Sequence, residues 1–112
     1  DEPIEIWGDG SVERDFIHVD DVARALLAAR QAEASGTEIN IGSGEGTSLN
    51  ALVDAIAAAL GRRPQVTYKA ARNFDVQANY LAVGRARALL GWAPQITLRD
   101  GIAALIADLS VR

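Results

Sequence analysis

Arg14-Asp15-Phe16 and Arg72-Asn73-Phe74-Asp75 each set a guanidinium beside an aromatic ring and a carboxylate, in a chain whose net charge is −4. Guanidinium forks are planar, permanently charged and bidentate, which suits phosphate oxygens. Each such bond contributes about 1.5 to 3 kcal/mol when shielded from water. Two of them, from distant parts of a small acidic domain, are what a pyrophosphate with a ribose attached would need. A plainer account also fits: Asp15 adjoins Arg14 and Asp75 lies three residues beyond Arg72. Surface ion pairs of that kind contribute about 0 to 1 kcal/mol, and on the residues alone they are the simpler account.

The other chemistry-bearing residues read as structural. Gly42-Ser43-Gly44-Glu45-Gly46 lies between a strand-like and a helix-like segment, where backbone N–H groups can cradle a phosphate. However, Thr47 stands where the third glycine of a dinucleotide fingerprint belongs, and no Walker lysine follows, so a plain turn is the reading. His18 has no nucleophile partner and reads as a packed or hydrogen-bonded histidine. Asp20 and Asp21 read as a helix cap plus a favourable dipole charge. Trp7, Phe16, Tyr68, Phe74 and Tyr80 offer stacking surface or core, and Arg62-Arg63 needs only a helix C-terminus as its reason.

These side chains sit on a chain of 112 residues, one domain by length, with 49% hydrophobic and 23% charged residues. That composition is an ordered globule's. The acidic balance argues against a nucleic-acid binder, which needs a basic face. With no cysteine and one histidine, neither a disulfide framework nor a Cys/His metal site is expected, in keeping with a cytoplasmic setting. No run approaches the roughly 18 apolar residues of a membrane span. Asp1-Glu2-Pro3 lacks a basic n-region, and with no methionine the chain reads as part of something longer.

Periodicity and turn residues predict the elements. Ile4 to Trp7 reads as a strand closed by Gly8-Asp9-Gly10, and Phe16 to Val19 as a second extended piece. A helix capped by Asp20 or Asp21 buries Val22, Ala25, Leu26 and Ala29 and ends near Ser35-Gly36. Glu38 to Ile41 reads as a strand. Thr47 or Ser48 caps a helix with Leu49, Leu52, Val53, Ile56 and Leu60 on one face, closed by Gly61. Val66 to Lys69 reads as a strand, 70 to 78 as a loop, and Arg85 to Leu90 as a short helix stopped by Gly91 and Pro94. Thr97 with Asp100 resembles a capping box opening a last helix.

Taken together, Gly8-Asp9-Gly10 with Arg14 to Ala23, then Asn40 to Gly44, Arg72-x-x-Asp75, Leu90-Gly91-Trp92-x-Pro94 and Asp100-Gly101-Ile102 closely resemble the C-terminal part of the NAD-dependent epimerase/dehydratase family. This is the extended short-chain dehydrogenase/reductase group, typified by UDP-glucose 4-epimerase. The resemblance implies an α/β fold over residues 1–112: a small mixed substrate-binding domain of about four helices and several short strands, without the N-terminal Rossmann cofactor domain. It implies Arg14 and Arg72 on the pyrophosphate of a UDP-sugar and Asp75 on a ribose hydroxyl, with Phe16 and the Ile4-to-Trp7 segment beside base or ribose. NAD(P) is implied for the full-length enzyme, not for this chain. The catalytic Tyr-x-x-x-Lys pair is absent, since Tyr68 is followed four residues on by Arg72 and Tyr80 by Gly84. Ala82 and Gly84 replace the Asp and Ser or Thr usual ahead of the short helix, and Asn73 stands where proline is common.

The expected function is therefore the substrate-binding part of a nucleotide-sugar epimerase, with a 4,6-dehydratase or reductase of the same family as the alternative. From a different class comes a catalytically silent domain that assembles through exposed faces. A homo-oligomer is expected, because the helix after Asp21 and the strand at Glu38 would have lost the sheet they pack on.

Overall fold

The computed structural model describes residues 2–32 and 36–111. Its elements run β1 (Ile4–Trp7), β2 (Glu13–Arg14), α1 (Val19–Gln31), β3 (Thr47–Ser48), α2 (Leu49–Leu60), β4 (Val66–Lys69), β5 (Ala78–Asn79), α3 (Gly84–Leu90) and α4 (Leu98–Val111). Two small sheets hold it together. In one, β1 and β4 pair in parallel, Ile4 against Val66 through Trp7 against Lys69. In the other, β2 lies between β3, antiparallel, and β5, parallel.

The helix ends follow local chemistry. Ser48 Oγ accepts from Ala51 N at 3.0 Å and Thr97 Oγ1 from Asp100 N at 3.1 Å, each satisfying a backbone donor at a helix start. Gly61 and Gly91 close α2 and α3 in the left-handed conformation. Val83 stands at the N-cap of α3 and offers no side-chain cap.

Four expectations need correction. His18, not Asp20 or Asp21, caps α1: its Nδ1 accepts from Asp20 N at 3.0 Å. Residues 38–41 join no ladder among the described residues; a strand needs a neighbour, and the Glu38 carbonyl accepts instead from Arg85 Nη1 at 2.8 Å. The strand expected at Phe16 to Val19 sits earlier, at Glu13–Arg14, where β3 and β5 supply partners. α1 ends at Gln31 with Ala32 as its cap, while Ser35 of the expected end lies outside the described residues.

Packing is thin. Ala25 of α1, Ala86 of α3 and Trp92 form one buried cluster, with Ile17, Ile39 and Ile41 packed on it. Among the described residues, Ile6 and Val53 are the other buried apolar side chains. α2 and α4 pack on each other. The Cα radius of gyration is 16.5 Å and the extents are 48 × 39 × 18 Å. A compact domain of this size has a radius near 13 Å, so the molecule is a flattened slab, thinnest along the 18 Å axis. Its outer faces remain apolar: Leu26 and Leu27 on α1 are 69% and 62% exposed. An apolar groove of about 530 Å³ runs between α2 and α4. No helix among the described residues is long and apolar enough to cross a membrane.

Candidate functional site

Parallel pairing of β1 with β4 brings the residue that ends β1 to the loop that follows β4. The ladder runs on through Gly8 N, which donates to Lys69 O at 2.7 Å. Trp7 and Arg72 therefore emerge at the same end. The Arg72 guanidinium lies 5.5 Å from the Trp7 ring centroid and 5.1 Å from that of Phe74, within cation–π range of both. Its Nε and Nη2 donate to the two carboxylate oxygens of Asp75 at 3.2 and 3.0 Å, and Asp75 N donates to Arg72 O at 3.3 Å. A short turn thus carries a fork-on-fork ion pair with two aromatic rings within reach of its guanidinium. The ion pair expected at Arg72 is present.

Arg14 reaches the same turn from the other sheet. Its strand lies beside β5, Arg14 against Asn79, with Glu13 N donating to Gln77 O at 2.9 Å. Arg14 Nη1 donates to Val76 O and Glu13 O, both at 2.7 Å. Val76 follows Asp75, so the two guanidinium groups flank one turn, residues 72–76. The ion pair expected between Arg14 and Asp15 does not form; among the described residues Arg14 has carbonyl partners and no carboxylate within ion-pair distance. A guanidinium has five donors, so most of this fork is available to an anion.

The Gly8-Asp9-Gly10 turn is anchored beneath this cluster. Asn50, in the first turn of α2, donates its Nδ2 to Asp9 O at 2.9 Å and its backbone N to Gly10 O at 3.0 Å, and accepts from Tyr68 OH at 2.9 Å. Ser11 donates to the Asp9 carboxylate from both amide and hydroxyl, which holds that carboxyl below its ordinary pKa. Gln77 Nε2 donates to Ser11 Oγ at 3.1 Å, joining the turn to β5. Reading the sequence missed Asn50, because a residue inside an amphipathic helix carries no local sign of a partner in a distant turn.

Phe16 faces elsewhere. It lines a recess of about 180 Å³ between the Ser43–Thr47 turn and residues 94–98. Thus the structure gathers Trp7, Arg72 and Asp75 into one cluster, brings Arg14 to its edge through Val76, and leaves Phe16 at a second recess. The glycine-rich turn at 42–46 has no donors to spare for a phosphate at its first two free amides: Ser43 N and Gly44 N both donate to the Asp15 carboxylate, at 2.7 and 3.1 Å.

Asp21, read from the sequence as a helix cap or dipole charge, is fully buried. Its carboxylate accepts from Arg24 Nη2, from Gln95 N at 3.2 Å and from Ile96 N at 3.0 Å, while its carbonyl accepts from Trp92 Nε1 at 2.9 Å. Burial pushes this carboxyl up; the Arg24 bond and the two amides outweigh it, so the group lies below the ordinary carboxylate value. This clamp fixes the segment between α3 and α4 against α1.

A sequence model of the NAD dependent epimerase/dehydratase family matches residues 1–42. The chain is 41% identical over 98 residues to the UDP-glucose 4-epimerase of Mycolicibacterium smegmatis, covering 88% of this chain and 31% of that protein. It is 36% identical over 99 residues to the Putative GDP-L-fucose synthase 2 of Oryza sativa, covering 88% of this chain and 28% of that protein. The crystal structure of the Thermotoga maritima UDP-glucose 4-epimerase with UDP-glucose superposes with a TM-score of 0.91 at 34% identity, over 98% of this chain and 35% of that one. The chain thus spans about a third of the length of the relatives it matches.

Proposed function

We propose, from the premise that this chain belongs to the NAD-dependent epimerase/dehydratase family, that residues 1–112 are the nucleotide-sugar-binding part of a cytoplasmic UDP-hexose 4-epimerase. The observation that carries the reading is the 72–76 turn. Arg72 stands there pre-aligned by Asp75 and two aromatic rings, and Arg14 arrives on the other side. In this reading Arg14 and Arg72 clamp the pyrophosphate, Asp75 accepts from a ribose hydroxyl, and Trp7 lies beside the base or ribose.

The chain's part is binding and orientation. NAD would supply the hydride chemistry from a cofactor domain elsewhere in the longer enzyme, against which α1 and residues 38–41 would pack. The fit test is UDP titration by calorimetry: Arg72→Ala should weaken binding about 10 to 100-fold, the equivalent of one charge-assisted bond. An unchanged affinity would refute the assignment of Arg72.

The likeness to a GDP-L-fucose synthase supports a second reading, a dehydratase or reductase of the same family acting on another nucleotide-sugar. Product analysis of the complete enzyme separates the two. The exposed apolar faces of α1, α2 and α4 support a third, a self-associating domain without catalysis. A monomer in sedimentation that binds little apolar dye would contradict it.

A further inference from the structure

Asp15 is the residue whose role neither the ion-pair reading nor the binding site explains. Its carboxylate accepts three backbone hydrogen bonds and no side-chain cation: Ser43 N at 2.7 Å, Gly44 N at 3.1 Å and Leu81 N at 3.1 Å. These donors come from both neighbours of β2. Ser43 and Gly44 lie in the turn leading into β3, and Leu81 lies two residues past the end of β5. Each strand of this sheet is two residues long, too short for its ladder bonds alone to hold a register. A single carboxylate standing next to β2 and bonded toward both flanks pins all three.

The register matters because of Arg14. Adjacent residues of an extended segment point to opposite faces, so Asp15 grips the flanking segments while Arg14 projects the other way. Arg14 reaches Val76 O only while β5 keeps its place beside β2; a slip moves Val76, and the Arg72–Asp75 turn with it, relative to the guanidinium. We propose that Asp15 is a positioning residue that sets the reach of Arg14 onto the diphosphate of the bound nucleotide. This rests on the reading of Arg14 as a diphosphate ligand.

Two further features agree. Gly42 leaves no room on the carboxylate's flank: a Cβ there would lie 2.7 Å from Asp15 Oδ2 and 3.0 Å from Leu81 Cδ1. Burial pushes the Asp15 carboxyl up, and the bonds from Ser43, Leu81 and Gly44 outweigh it, so the group lies below its ordinary value and the acceptor stays charged at neutral pH.

The test is a double-mutant cycle read by UDP titration of this chain, with Asp15→Asn, Gly42→Ala, Arg14→Ala and the two pairs combining each with Arg14→Ala. Asparagine keeps the shape but cannot accept at both oxygens, and alanine at 42 displaces the carboxylate without removing its charge. Each should weaken UDP binding about tenfold when Arg14 is present and by less than about twofold when it is absent, the coupling of residues that act as a unit. An equal loss in both backgrounds marks a general effect on the fold and overturns the proposal.

Amide hydrogen exchange on the unsubstituted chain keeps the test independent of whether the variants fold. Ser43, Gly44 and Leu81 should exchange slowly, and exchange at the rate of an unstructured peptide overturns the clamp. A chain that binds no UDP, or binds it as well after Arg14→Ala, refutes the reading of the site and the positioning role with it. UDP binding that depends on Arg14 but is indifferent to Asp15→Asn refutes the positioning role alone.

Discussion

Replacing Asp21 by asparagine should destabilise the fold by about 3 kcal/mol, far more than its place in the first turn of α1 suggests. The carboxylate is fully buried and spreads its two oxygens over Arg24, Gln95 N and Ile96 N. Asparagine keeps one acceptor and turns an NH2 group toward the remaining backbone donor. A buried N–H left without a partner costs about 1 to 3 kcal/mol. With the oxygen kept on Arg24, the loss of the negative charge from that bond adds about 0.5 to 1 kcal/mol, a discounted figure because the Arg24 side chain is 36% exposed and can turn to water. The assay is urea unfolding followed by far-UV circular dichroism and by the fluorescence of Trp92, which is buried and bonded to the Asp21 carbonyl. With a slope of about 1.5 kcal/mol/M, ordinary for a small domain, the midpoint should fall by about 2 M. If Asp21 were only a dipole charge, the loss would stay below about 1 kcal/mol. That smaller result, with Asp20→Asn giving the same, would refute the clamp.

Acid should remove the same stabilisation. The Asp21 and Asp15 carboxyls lie below their ordinary values in the folded chain, so their contribution is complete above about pH 4, the unfolded value, and is lost as pH falls through the folded value. The stability gap between the unsubstituted chain and Asp21→Asn should therefore be constant near neutrality and close below about pH 4; a gap that closes near pH 6 instead would point to another group. Gly10→Ala should destabilise by about 1 to 3 kcal/mol, because Gly10 has φ +81° and an added Cβ would lie 2.1 Å from Asn50 Oδ1. Circular dichroism melting reads it, and an unchanged midpoint would show that the turn is free to move. Leu26→Glu with Leu27→Glu should reduce apolar dye binding while leaving the helix content intact, since both side chains are exposed; a collapse of the helix signal would mean that they are core.

Which features were legible in the sequence follows the range of the interactions that make them. Ser48, Gly61, Gly91 and Thr97 act within a few residues of themselves, so the ends of α2, α3 and the start of α4 were readable from residue type. The Arg72–Asp75 pair, three residues apart on one turn, was readable for the same reason. Asp21 was not, because its partners lie at 95 and 96, and Asp15 was not, because its partners lie at 43, 44 and 81. Asp15 beside Arg14 looked like half of a local ion pair, and Asp21 at a helix start looked like a cap or a dipole charge; neither local look reveals a backbone partner far along the chain. Residues 38–41 have the composition of a strand, yet composition does not supply a neighbour to pair with. Trp7 was legible as a candidate, whereas its meeting with Arg72 depends on β1 running parallel to β4, a topology that no local signal encodes.

The most direct test of the nucleotide-sugar site is the two-dimensional amide and arginine side-chain NMR spectrum of the 15N-labelled chain, recorded as UDP is added. The account predicts saturable shifts at Trp7, Gly8, Arg14 and residues 72–76, with both Arg14 and Arg72 side-chain signals moving together. A folded chain whose spectrum does not change, or whose shifts fall in the groove between α2 and α4 instead, would contradict it.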